Sequence, residues 1–165
     1  MVERVQRWVS TGFKVAPIEK MMLPVIHALG HKDCELIQRD QMALFAVGQI
    51  EARAIQSTER HAIEFNDLLT QSYLWVLGSY EIIRSICERL DGDPRQKAAR
   101  DAKHIFERVR MPLAKMATAN RYKADSPIAY PALNMRHGIA WQVREDVFIT
   151  RFELSETFLS FLEGL

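Results

Sequence analysis

Metal coordination and proton transfer need histidine, cysteine and carboxylates at set spacings, so the five histidines and two cysteines come first. His27-x-x-x-His31-x-x-Cys34 sets two imidazoles four apart, on one face of a helix, with a thiolate three positions on. That is part of a zinc ligand set. No fourth ligand follows, and Gly30 reads as a helix stop between the histidines, so the stronger reading is a surface helix end and no metal is expected. Asp101-x-x-His104 has the carboxylate-x-x-His spacing of di-iron bundles, but the second paired motif and the two further buried acids are missing. His61 with Glu59 and Glu64 could form an acid–base cluster; acids at a helix start are favoured by the dipole in any case. There is no Gly-x-Ser-x-Gly and no Gly-x-x-x-x-Gly-Lys, and the seven glycines stand singly. Neither a hydrolase nucleophile elbow nor a nucleotide-cradling loop is expected, and no cofactor is assigned.

Two further clusters could bind. Lys97, Arg100, Lys103 and Arg110 lie on the polar side of a predicted helix, continued by Arg121 beside Tyr122. Such a face could neutralise phosphates while the aromatic stacks a base. The simpler reading is a solvated face balanced by acids elsewhere: residues 92–123 carry nine Lys or Arg against three acids, and residues 145–163 five acids against one Arg. Net charge is only +1, so nucleic acid is a possible partner but not the favoured one. Asn134, Arg136 and His137 form a polar cluster in a proline-bounded loop, the one group suited to a cleft mouth.

The elements that must position these residues read mainly as helix. Residues 17–29 predict a helix opened by Pro17, kinked or shortened by Pro24 and stopped at Gly30; residues 35–56 fit both helix and strand periods, with length and alanine favouring helix. Residues 59–90 predict a long helix closed by Asp91-Gly92-Asp93-Pro94. Within it, residues 68–87 contain only two charges, Glu81 and Arg84, and apolar residues nearly all round, as in a buried central helix. A further helix starts near Arg95 with Ala98, Ala102, Ile105, Phe106, Val109, Leu113 and Met116 on one face; Pro112 should bend or interrupt it. Residues 124–138 read as irregular. Ile139, Trp141 and Val143 alternate with polar or small residues, and Val147 to Thr150 follow, which predicts a β-hairpin with a turn longer than two residues. Residues 155–162 return to helix.

On the long helix Glu81 and Arg84 are neighbours of one face. They are expected to pair in a buried polar seam, joined by the hydroxyl of Tyr73 or Tyr80, so that Arg84→Ala would strand a carboxylate and destabilise strongly. The aromatic helix ending in Tyr80-Glu81-Ile82-Ile83-Arg84 faintly resembles HEPN-type proteins, which include RNA-cleaving toxins and defence proteins. Their active site is an Arg and a His separated by four to six residues. Arg100 and His104 are separated by three and no other pair fits, so the resemblance implies no nuclease site and membership is not inferred.

The 165 residues predict one domain: a helical bundle around a long central helix, with a short β-hairpin near the C-terminus. Two cysteines make no disulfide framework, the first 17 residues lack a signal-peptide core, and the polar residues of 68–87 suit hydrocarbon poorly. A cytoplasmic protein without membrane contact is expected. Its function is expected to be that of a non-enzymatic interaction or regulatory protein, homo-oligomeric through helix faces. A nucleic-acid-directed protein is the alternative, and an enzyme using the polar loop a third reading.

Overall fold

The computed structural model describes the backbone of residues 1–50 and 58–165 and the side chains of residues 1–46 and 62–165. The order is α1 (Val2–Val15), α2 (Met22–Ile50), α3 (Thr58–Arg89), α4 (Gln96–Lys115), β1 (Tyr130–Asn134), β2 (Gly138–Arg144), β3 (Val147–Thr150) and α5 (Arg151–Glu163). The protein is therefore mainly α with a small antiparallel sheet, as its periodicities predict. None of the described helices is long and apolar enough to cross a membrane.

The long helix α3 is buried on one face only. Leu68, Trp75, Val76, Ile83 and Ile86 turn inward, as does Leu90 just after the helix, while Leu74 is half exposed. The fully enclosed side chains of α5, Leu154, Phe158, Leu159 and Leu162, fill the middle of the bundle. Phe158 makes edge contacts with Trp8 of α1 and Phe106 of α4, at centroid distances of 5.4 and 6.0 Å. These pairings tie the first helix and the fourth to the last.

Gly30 does not stop a helix. Helix α2 runs through it and through Pro24, which lies in the first turn, where no N–H partner is forfeited. Gly30 is buried because α1 crosses there: a Cβ would lie 2.4 Å from Cγ of Trp8. Gly12 of α1 is its counterpart, with the His27 ring 2.6 Å from where its Cβ would be. The glycine that reads as punctuation is a close-packing site between two helices. Helix is the outcome for residues 35–50; residues 51–56, the rest of the ambiguous stretch, lie outside the described residues.

Part of the segment expected to be irregular is a strand. β1 pairs with β2, Pro131 opposite Trp141, and it forms the sheet edge, where proline is tolerated because no ladder donor is needed. The turn between β2 and β3 is two residues, Glu145-Asp146, shorter than expected, with a register shift between Gln142 and Arg144. Neither turn residue has positive φ. The primed turns that match strand twist are therefore absent, and a bulge takes up the mismatch. Helix α5 begins four residues earlier than predicted, because Thr150 and Glu153 form a reciprocal capping box.

Candidate functional site

The α2–α3 hairpin has two unlike halves. The Arg39–Asp67 ion pair at 2.6 Å and the Trp75 indole N–H donating to the Leu29 carbonyl at 3.0 Å set its antiparallel register. Towards the body, every turn of α2 and α3 carries a buried residue. Beyond Asp40 on α2 and before Leu68 on α3, no described side chain is buried. Met42, Phe45 and Ile63 stand about 70 % exposed there. Met42 and Phe45 are three apart and share a face; the register brings Ile63 level with them. The α2 run from Gln41 to Ile50 carries no charge. An uncharged helix end with large exposed apolar side chains is unlike an ordinary solvated surface.

A buried ionic cluster fixes the base of this projection. Arg151, the first residue of α5, is fully buried and donates to Asp33 at 2.7 Å and to Asp40 at 2.6 Å, both on α2. Asp33 also accepts from Arg4 Nε at 2.7 Å and the Trp8 indole N–H at 3.0 Å. Arg4 continues to Ser155 at 2.6 Å and to Glu156. Asp40 accepts the Ile139 backbone N–H at 3.1 Å through its other oxygen. α1, α2, β2 and α5 thus meet at one set of charges. Two acids seven apart on α2, flanking the buried Leu36, are the available sequence signal, since position i+7 returns to the same face.

The predicted residues fall as follows. Asn134 Oδ1 accepts the backbone N–H groups of Arg136 and His137 at 2.9 and 3.0 Å, which closes the β1–β2 turn. Arg136 and His137 do line a cleft, shared with Asp40, Gln41 and Phe152. The basic helix face is mostly paired locally. Lys97 meets Asp101 at 2.9 Å, Arg100 meets Gln96 at 2.5 Å, Lys103 lies 3.7 Å from Glu107, and Arg110 lies 3.6 Å from Glu81 and over the Tyr80 ring. Arg121 is exposed on the segment after α4. The acidic C-terminal segment does not balance this face; its Glu156 and Glu163 bind Arg4 and Arg7 of α1.

The seam expected at Glu81 and Arg84 is not buried. The two do pair, at 2.8 Å, but their side chains are 47 % and 41 % exposed, and Arg84 also holds Glu88. The charged strip is the wet edge of α3, because α4 packs against the Tyr80 and Ile83 side of the helix. The Tyr80 hydroxyl donates to Glu107 instead, at 3.1 Å. Burial, then Glu107, pushes its pKa up to about 12. Arg84→Ala is therefore expected to leave the urea unfolding midpoint unchanged within error, since exposed ion pairs contribute little.

The partial metal set is dispersed. His27 Nε2 lies 3.3 Å from the Val9 carbonyl and its ring packs on Phe13, whereas His31 is exposed and Cys34 buried. Burial, with Asp33 next, pushes the Cys34 thiol above its ordinary pKa, away from the thiolate that zinc needs. His104 faces Glu107 at 2.9 Å, not Asp101. The side chains of Glu59 and His61 lie outside the described residues. Comparison with protein-family models, curated proteins and solved structures gives no match.

Proposed function

We propose that the chain is a non-enzymatic interaction protein that associates with a second copy of itself through the far half of the α2–α3 hairpin. The observation that carries this reading is the exposure of Met42, Phe45 and Ile63 on a stretch where no described side chain is buried. Fully burying side chains of this size is worth about 1.5–3 kcal/mol each. A second copy is the fitting partner because the uncharged α2 end meets no like-charge repulsion when a two-fold axis sets it against itself. Two hairpins so apposed make a four-helix packing, a common way to enclose two-helix ridges. A nucleic-acid partner has less support, since most of the basic face is already neutralised within the fold.

Sedimentation equilibrium between about 1 and 100 micromolar tests it. Wild type is expected to dimerise in that range, and Met42→Glu/Phe45→Glu to remain monomeric with an unchanged circular dichroism spectrum. Met21→Glu, at an equally exposed site just before the opposite end of α2, should dimerise as wild type does. A wild type that stays monomeric throughout, or a double variant that still dimerises, rules the surface out.

A further inference from the structure

We infer that the outer face of the α1–α2 corner is a peripheral membrane-binding surface, which docks on an anionic lipid bilayer and seats Phe13, Met21 and Val25 at the acyl boundary. Helix α1 turns its apolar side to the core through Trp8 and Val15. Its solvent side carries Glu3, Gln6, Ser10 and Lys14, yet Phe13 stands in that row, 59 % exposed. Across the turn, Met21, Val25 and Ala28 recur at steps of four and three and are exposed along one face, with Pro24 beside them. Met21 is 76 % exposed and Val25 42 %. The half-buried His27 joins the two helices: its ring meets Phe13 edge-on at 5.7 Å and lies over Gly12. Phe13, Met21, Pro24 and Val25 therefore belong to one patch and are not scattered side chains.

Charge identifies the occupant. Between Arg4 and Lys32 the only acid is Glu19, and Arg89 holds it at 3.3 Å. The Lys20 ammonium has no hydrogen-bond or ion-pair partner among the described residues. Lys14 donates to the Glu163 carbonyl, while Arg7 holds the Glu163 carboxylate at 2.7 Å. Lys32 and Glu35 neutralise each other at 2.8 Å. The patch is thus bordered by lysine and by acids that cations already hold, which fits an anionic surface. A second copy fits badly, because a two-fold axis would set Lys14 and Lys20 against themselves. Apolar anchors of protein partners settle into pockets, whereas side chains exposed to this degree project from a corner, the shape that enters a lipid interface. Lysine stems lie along such a boundary while their ammonium groups reach the headgroups. The expectation of no membrane contact rests on the polar residues within 68–87, and a surface contact needs no spanning segment.

The inference does not depend on self-association, whose surface lies at the other end of α2. The experiment is co-sedimentation of the full chain with vesicles of phosphatidylcholine, alone or with about 30 % phosphatidylserine. The wild type is expected to sediment with the anionic vesicles and to stay in solution with the neutral ones. Phe13→Ser/Met21→Ser should weaken binding about tenfold or more with an unchanged circular dichroism spectrum. Lys20→Ala should weaken it about fivefold. Met116→Ser, at an equally exposed site after α4, should bind as the wild type does. Met42→Glu/Phe45→Glu should still bind; its failure would place the contact on the hairpin and overturn this one. No sedimentation with anionic vesicles overturns the inference outright. Equal binding to neutral vesicles overturns the role of charge, and unchanged binding by Phe13→Ser/Met21→Ser overturns the location. Loss of dimerisation in that variant, with vesicle binding kept, would assign the face to a second copy instead.

Discussion

Arg151→Ala is expected to lower the unfolding free energy by about 3–5 kcal/mol, the largest loss of any single truncation of a polar side chain here. The reason is what the guanidinium leaves behind. Asp40 would keep only the Ile139 N–H, and Asp33 only Arg4 and the Trp8 indole, in a place with no access to water. An uncompensated buried carboxylate costs far more than the intact pair contributes, since the pair itself already carries a desolvation penalty. Two further variants separate charge from volume. Arg151→Met restores most of the packing and should recover little. Arg151→Lys keeps the charge but not the planar fork, so one ammonium must serve two acids on successive turns, and an intermediate loss is expected. Urea unfolding with an unchanged m-value is the measurement. A loss below about 1 kcal/mol for Arg151→Ala would mean that the cluster is hydrated and holds nothing together.

The same cluster explains which parts of the molecule are legible in the sequence. Helix positions follow a local signal, the recurrence of apolar residues, and that signal puts Ala102, Phe106 and Val109 on the face that the fold buries. It also places there Ala98, Ile105 and Met116, which are exposed, and misses the buried Ala99. Arg151 is hidden because its surroundings are non-local. It follows a β-branched run that reads as strand, and only its contacts with a helix more than a hundred residues earlier show it to be buried. The capping box Thr150-x-x-Glu153 is readable and marks Arg151 as helical. Glu81 and Arg84 mislead in the opposite direction. Their apolar neighbourhood in sequence suggests burial, but the helix has a face that nothing covers. Apolar content fixes how much of a helix can be buried; only the packing partners decide which side is. Gly30 makes the third case: a glycine can mark a chain ending or a neighbour arriving, and Trp8, 22 residues away, decides between them.

Gly138→Ala should be the most damaging single methyl group that can be added to the sheet region. Two costs combine there. Gly138 has φ of +77°, the left-handed region, which costs an alanine about 1–2 kcal/mol. A Cβ would also lie 2.2 Å from Cγ of Asp40, so that something must move. Asp40 cannot step aside as a surface carboxylate would, because Arg151 and the Ile139 N–H hold both of its oxygens. Overpacking of this kind adds about 1–3 kcal/mol, giving a total loss of about 2–5 kcal/mol. Gly92 supplies the comparison. Its φ is +78°, yet nothing lies within 4 Å of where its Cβ would be. Gly92→Ala should therefore show the backbone cost alone, and the difference between the two variants reads the contact with Asp40. Combining Gly138→Ala with Asp40→Ala tests the assignment, because the added methyl then has room and the two losses should sum to less than their separate values. Strict additivity, or equal losses for the two glycine variants, would show that Asp40 does not press on the turn and that the ionic cluster stops short of the sheet.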